Sequence, residues 1–379
     1  EKWLQNTFIS NLVLRGSYGI TGSQSYSPYQ AKETYTYDDL LFPYPSSDIL
    51  GAQLKGMGNP DLGWSTTKNR SFAMELGLWN SRVNASFSYY NNYTDELLLD
   101  YNMAPSTGFA SKTMNVGAVE NEGYDISLSV MPIQDYERQI QWSISMNGSH
   151  NRNVIKKISN EMKAMNQKNL EKKNGSPEAI YEEGKSTTQL FVVPSLGIDP
   201  ATGQEIYIDI DGNPTFTYNY WDKRVYGDAN PDMSGVFGSY LTFKGFSLNM
   251  MFDYSFGGTI YNQTLVSRVE GSDPLKNADK RVFSSRWKEA GDQAKYKDIA
   301  DSSMPEVTSR FIRDEYYLNM RSLSLSYDFT SDFCKKIYLS RLRVQFMTND
   351  LFRISTVKQE RGLTYPFART FEFSLSAAF

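Results

Sequence analysis

The sequence is poor in the residues that build compact active sites. Among 379 residues there is one cysteine, Cys334, and one histidine, His150. A single thiol excludes an intramolecular disulfide and any cysteine-based metal cluster, so Cys334 reads as a small, inert side chain. A Ser-His-Asp triad would need His150 to meet a buried acid and a nucleophile, and nothing near it in sequence supplies them. No run of about 18 apolar residues occurs, which excludes a transmembrane helix. The net charge is −4 and Lys and Arg are not clustered, so no nucleic-acid partner is expected. No cofactor and no metal are expected, and the chain does not read as an enzyme.

Tyrosine and phenylalanine are abundant instead, 26 and 22 residues, and aromatics reach 14%. That level is common where side chains sit at membrane interfaces or stack on ligands. The dominant hydropathy period is two. Ten segments carry it: about 8–22, 65–79, 82–98, 118–131, 138–152, 234–243, 245–261, 316–329, 339–352 and the terminal stretch 368–379. In 245–261, for example, Phe246, Leu248, Met250, Phe252, Tyr254 and Phe256 share one face. Period two over such lengths predicts long strands with one apolar and one polar face.

The connectors fall into two kinds. Asn80-Ser81, Pro132–Glu137, Lys244-Gly245 and Thr330–Tyr338 are short, whereas 23–64, 99–117, 153–233, 262–315 and 353–368 are longer. Short and long alternate along the whole chain. Strands that each cross a sheet once would then gather every short turn at one edge and every long loop at the other. This is the pattern of a transmembrane antiparallel β-barrel, with short periplasmic turns, long extracellular loops and apolar-out, polar-in strands. A soluble sandwich also alternates, but with shorter strands and no segregation of loops.

Within the long loops, Ile155, Ile158, Met162 and Met165 lie at helical spacing and predict a loop helix in 154–173; 274–291 predicts a second. Asp209 and Asp211 in "IDIDGNP" have half the spacing of a calcium loop without its downstream Glu, so an Asp-Gly turn is expected. "GIDPATGQEIY" (197–207) reads as a turn between two short strands. Tyr218, Tyr220, Trp221 and Tyr226 are concentrated beside Asp222 and Asp228. Aromatic faces next to carboxylates suit sugar rings and also peptides, and a self-packed loop would carry the same residues. Tyr218, Tyr220, Trp221, Asp222 and Tyr226 are the candidate substrate-binding residues. The first loop, with Tyr26, Tyr29, Tyr35 and Tyr37, is equally aromatic, and Arg15, Arg82 and Glu75 on the polar strand face could line a path or meet other polypeptide.

Several stretches resemble SusC/RagA-type TonB-dependent outer-membrane transporters. "NPDLGWSTTKNRSFAMELGLWNSRVNASFSYYNNYTDELL" (59–98) is similar to the family's barrel signature. "NVGAVENEGYDISL" (115–128) resembles its Asn-x-Gly-x-x-x-Asn-x-Gly-x-Glu element, with Asp125 where Glu is usual. "GDANPDMSGVFGSYLTFKGFSLNMMFDYSFGGTIYN" (227–262) matches its Gly-Asp-x-Asn-Pro element and hairpin. "RWKEAGD" (286–292) and "YYLNMRSLSLSYDF" (316–329) resemble two more landmarks, with Ala290 replacing the usual Pro.

The resemblance implies about ten C-terminal strands of a barrel with about 22. Residues 1–379 would be the C-terminal portion of that barrel, without plug, TonB box or signal peptide, and thus a fragment, a nicked chain or a trimmed product. The implied function is import of oligosaccharides or oligopeptides across the outer membrane. The implied partners are a SusD-like surface lipoprotein, TonB–ExbB–ExbD acting through the plug, the remaining N-terminal barrel and plug polypeptide, and outer-membrane lipid. On the last strand Phe371, Phe373, Leu375 and Phe379 are expected to face lipid, the aromatic end resembling the C-terminal insertion signal of outer-membrane barrels. The rivals are a secreted or surface-attached carbohydrate-binding β-sandwich and an outer-membrane esterase or lipase acting through His150.

Overall fold

The computed structural model describes residues 8–24, 26–38, 51–273, 275, 279–358 and 367–379. Ten strands form one antiparallel meander: β1 Ile9–Ser23, β2 Ser65–Leu78, β3 Val83–Asp95, β4 Gly117–Asp135, β5 Ile140–Ile158, β6 Met233–Phe243, β7 Phe246–Tyr261, β8 Ile312–Asp328, β9 Arg341–Asn349 and β10 Phe371–Ala378. Each pairs with the next in chain order, and β1 and β10 do not pair with each other among the described residues. All ten alternating segments are strands of this one sheet. It is not divided into two facing sheets, so the sandwich expectation is set aside.

The register explains why alternation is so long and so regular. Residues directly opposite in antiparallel strands project to the same side. The row Phe373, Phe346, Leu325, Leu248, Leu241, Trp142 crosses β10, β9, β8, β7, β6 and β5 pair by pair. One residue away, Ser374, Gln345, Ser326, Ser247, Thr242 and Gln141 form an equally unbroken polar row. A slip of one residue in any strand would insert a polar residue into the apolar row, so the two faces fix the register.

Aromatic side chains border the apolar face at both ends. Phe8 and Trp79 meet at 5.9 Å and Phe246 and Tyr327 at 4.4 Å on the short-turn side. On the long-loop side Tyr124 meets His150 at 5.1 Å and Tyr254 meets Phe256 at 5.8 Å. From Phe246 to Tyr254 the strand rises about 27 Å, or about 21 Å at the usual barrel tilt. That is close to the roughly 25 Å apolar band of outer-membrane barrels.

The short turns lie together at one edge. Lys244 and Gly245 have φ of 45° and 90°, as a two-residue hairpin turn between right-twisted strands requires. A Cβ on Gly245 would come within 2.6 Å of the Asp328 carbonyl oxygen. Two boundaries differ from the sequence reading. Pro132 is not in a connector: β4 runs on to Asp135 across a register shift between Val130 and Ile133, which accommodates a residue without an N–H. The segment after β8 contains a short helix, Ser331–Lys336, not a bare turn.

The long loops form a second layer above the sheet. Its core is Val192, Tyr261, Val266, Val307, Phe311 and Ile312. A short parallel bridge joins loop 159–232 to loop 262–311, with the Val193 N–H donating to Val307 O and the Ser309 N–H to Val193 O. The expected first loop helix is present as Asn160–Glu171, started by Ser159, whose hydroxyl accepts from the Met162 N–H at 3.3 Å. Ile155 and Ile158, counted as part of it, belong to β5 instead, because β4 pairs with β5 as far as Gly117 and Ile158, and residues 184–185 add bonds to Ile155. The expected second helix in 274–291 is absent among the described residues, where only a 3-10 turn, Lys280–Phe283, forms. Ser285 has φ of 58°, and the Arg286 guanidinium binds the carbonyls of Val282, Val269, Glu270 and Lys297, which holds the chain as an irregular loop.

Candidate substrate path and loop layer

Two neighbouring regions carry the polar chemistry: the polar face of the sheet and the loop layer above it. On the sheet, Ser149, Ser234, Asp253, Asn319, Arg321 and Asp350 line a recess of about 740 Å³. Asn319 is 7% exposed, and its amide donates to Asp253 Oδ1 at 3.0 Å and to Asp350 Oδ1 at 3.3 Å. Above it the Arg353 guanidinium lies 3.8 Å from the Tyr317 ring centre and bonds Glu315 at 3.0 Å. Arg15 and Glu75 pair on the same face. The surface is therefore a wall of hydroxyls, amides and charges of both signs, able to hydrogen-bond a passing polar chain without a deep apolar trap.

The loop layer is organised by ions. The Arg310 guanidinium grips Glu205 with two bonds of 2.8 Å and reaches Glu270 at 2.9 Å. The side chains of Glu205 and Glu270 are 1% and 2% exposed. Burial alone would weaken the Arg310 charge, but the hydrogen bonds and charges of the two carboxylates outweigh it and hold its proton above the ordinary arginine range. Tyr207 and Tyr218 meet edge-to-face at 5.5 Å beneath this cluster. Burial first, and then the charges of Glu205 and Glu306, raise both phenols. Nothing in the sequence marks this assembly, because Arg310 and Glu205 are 105 residues apart.

The five candidate residues divide between support and open surface. Asp222 is 4% exposed and accepts from the Ile210 N–H at 3.0 Å, so it braces a turn. Tyr218 packs on Tyr207. Tyr220 and Trp221 touch at 5.2 Å, and Trp221 and Tyr226 remain 50% and 52% exposed. Tyr29, Tyr35 and Tyr37 of the first loop are exposed as well, whereas Tyr26 bonds Leu62 O at 3.4 Å.

Asp209 forms the expected turn. Its carboxylate accepts from the Asn213 N–H at 2.8 Å, which holds it below the usual carboxylate range, and Gly212 has φ of 90°. The 197–207 stretch is likewise a turn between short strands, Ser195–Ile198 and Glu205–Ile208. His150 lies on the apolar face, its Nδ1 2.6 Å from Asp232 O and its ring on Tyr124. That geometry gives it a backbone oxygen in place of the carboxylate a triad requires.

A family model described as TonB dependent receptor-like, beta-barrel, matches residues 3–349. The chain belongs to that family. TonB-dependent receptor P3 of Formosa agariphila is 26% identical over 351 residues, which cover 87% of this chain and 33% of that protein. TonB-dependent receptor SusC of Bacteroides thetaiotaomicron is 23% identical over 272 residues, 70% of this chain and 27% of that protein. The solved RagAB peptide transporter superposes with a TM-score of 0.79 at 24% identity, covering 94% of this chain and 39% of the matched chain. The chain thus spans between a quarter and a third of the length of these curated relatives. Its sheet is part of an outer-membrane β-barrel, and its relatives are transport receptors, not enzymes.

Proposed function

We propose that the chain forms the C-terminal portion of the barrel of a SusC-like active importer, which carries oligosaccharides or oligopeptides across the outer membrane. The observation that carries this reading is the pair of unbroken rows, one apolar and one polar, running across all of β5 to β10 beneath loops gathered at one edge. The apolar row, with Phe371, Phe373, Leu375 and Phe379, faces lipid. The polar row faces the lumen and the plug. The unpaired edges of β1 and β10 join the remaining barrel polypeptide, since an open edge in hydrocarbon leaves backbone groups unsatisfied. TonB–ExbB–ExbD supplies energy through the plug.

A SusD-like surface lipoprotein covers the loop layer. Trp221 and Tyr226 offer their open faces to substrate, with Tyr220 beside them, while Tyr218 and Asp222 position that segment. Uptake of labelled oligosaccharides and oligopeptides by cells carrying the full-length transporter tests the reading. One class should accumulate, only with TonB present, and Trp221→Ala with Tyr226→Ala should lower uptake severalfold. Accumulation of neither class, or accumulation without TonB, overturns it.

A further inference from the structure

Above the aromatic border, the apolar face of β1 to β5 continues as a charged band. The border row is Gly16, Phe72, Tyr89, Tyr124, His150. The next row on the same side is Tyr18, Arg70, Asn91, Glu122, Arg152, and the one after it is Ile20, Lys68, Tyr93, Glu120, Val154. Both acids of this band are hydrogen-bonded, and one of them is ion-paired. Glu122 accepts from the Tyr89 hydroxyl at 2.9 Å, and Glu120 accepts from Asn91 at 2.8 Å and pairs with Lys156 at 2.5 Å. Lys68, Arg70 and Arg152 are exposed and none forms an ion pair within 4.0 Å among the described residues, although Lys68 lies 5.8 Å over the Tyr93 ring and the Arg70 charge acts on Glu120 from farther away.

We propose that this band is a docking surface for the phosphate-bearing headgroups of lipids in the surrounding outer leaflet. Two observations select that occupant. The band is continuous with the membrane-facing rows and stands one strand step beyond the aromatics that mark the hydrocarbon boundary, which is the depth of headgroups. Its charge is in cationic excess, Lys68, Arg70, Arg152 and Lys156 against Glu120 and Glu122, and is spread over three strand spacings, about 14 Å, wider than a single small anion needs. Arg supplies planar forks suited to phosphate, and Lys a point charge. Held there, anionic lipid would tie β2 to β5 on their outer side, beneath the loop layer.

The inference rests on the membrane placement proposed above. The full-length transporter is reconstituted in phosphatidylcholine bilayers with and without monophosphoryl lipid A. Lipid A should raise its unfolding temperature and co-purify with it. Lys68→Gln, Arg70→Gln and Arg152→Gln together should abolish both effects, with roughly a fivefold loss of lipid affinity per charge removed. The charge-conserving Lys68→Arg and Arg152→Lys variant should retain them. Equal lipid retention by wild type and the triple variant overturns the inference, as does equal stabilisation by inorganic phosphate alone. In both cases the variants still insert and transport, whereas failure of wild type to insert would reject the membrane reading itself.

Discussion

The sheet and the loop layer are held together by opposite means. In the sheet almost every side chain is at least partly exposed, and order comes from backbone pairing and the two-faced register. In the loop layer order comes from burial: Val192, Val193, Val269, Val282 and Phe311 are at most 1% exposed, around a clamp of one guanidinium and two carboxylates. The first design takes its apolar solvent from the membrane and needs no core of its own. The second builds a core of its own from loop residues and the ends of β7 and β8, with the clamp packed into it. Each should fail in its own way.

The largest effect is expected at Arg310. Arg310→Met leaves Glu205 and Glu270 buried without their counter-charge, a loss of about 3–5 kcal/mol. Hydrogen exchange on the full-length transporter should show residues 159–232 and 262–311 opening while β1 to β10 stay protected. Adding Glu205→Gln and Glu270→Gln should recover most of the loss, because a neutral cluster carries no unpaired charge. Opening of the sheet together with the loops would show that the two regions are one cooperative unit.

The corresponding test of the sheet is a comparison of neighbours. Met250 lies midway between Phe246 and Tyr254 on the apolar face, and Asn249 faces the other way. Met250→Arg should cost about 2–4 kcal/mol on folding into lipid vesicles. Asn249→Arg should change stability by no more than about 0.5 kcal/mol. Similar costs at the two positions would mean that the sheet's faces are not in different solvents.

The same contrast explains what could be read from the sequence. All ten strands were legible, since period two is a local signal and the membrane enforces it at every residue. So were two of the four short turns, Lys244-Gly245 and Asn80-Ser81, which announce themselves by composition, whereas Pro132 falls inside β4 and 330–338 holds a helix. The loop layer was legible where the signal is local, as in the helical spacing of Met162 and Met165 or the action of Asp209 on Asn213. Its clamp was not, because Glu205, Glu270 and Arg310 meet only through tertiary packing. The 274–291 helix failed for a related reason: the Arg286 guanidinium takes the Val282 carbonyl, which a helix would have satisfied itself, and ties it to the carbonyls of Val269, Glu270 and Lys297 outside that segment. Of the five aromatic-loop candidates, sequence could not separate Asp222, which braces a turn, from Trp221, which is open.

The smallest expected effect sits at the edge of the clamp. Glu306 is half-buried, and burial raises its pKa above the ordinary glutamate value, partly offset by Lys173, Lys297 and Lys223. The folded loops therefore bind its proton more tightly than the unfolded chain does. Below the ordinary glutamate pKa both states are protonated, and Glu306 imposes no penalty. As pH rises from that value through the raised one, the folded state must ionise a partly desolvated carboxyl, and stability is lost over that window. Glu306→Gln removes the ionisation. The variant's loop layer should match wild type in acid and exceed it slightly at neutral pH, as read by proteolysis of residues 159–232 across a pH series. A variant less stable than wild type at neutral pH, with the gap closing in acid, would instead mean that Glu306 is held as a carboxylate by its lysines, and that charge pairing, not burial, governs the rim of the clamp.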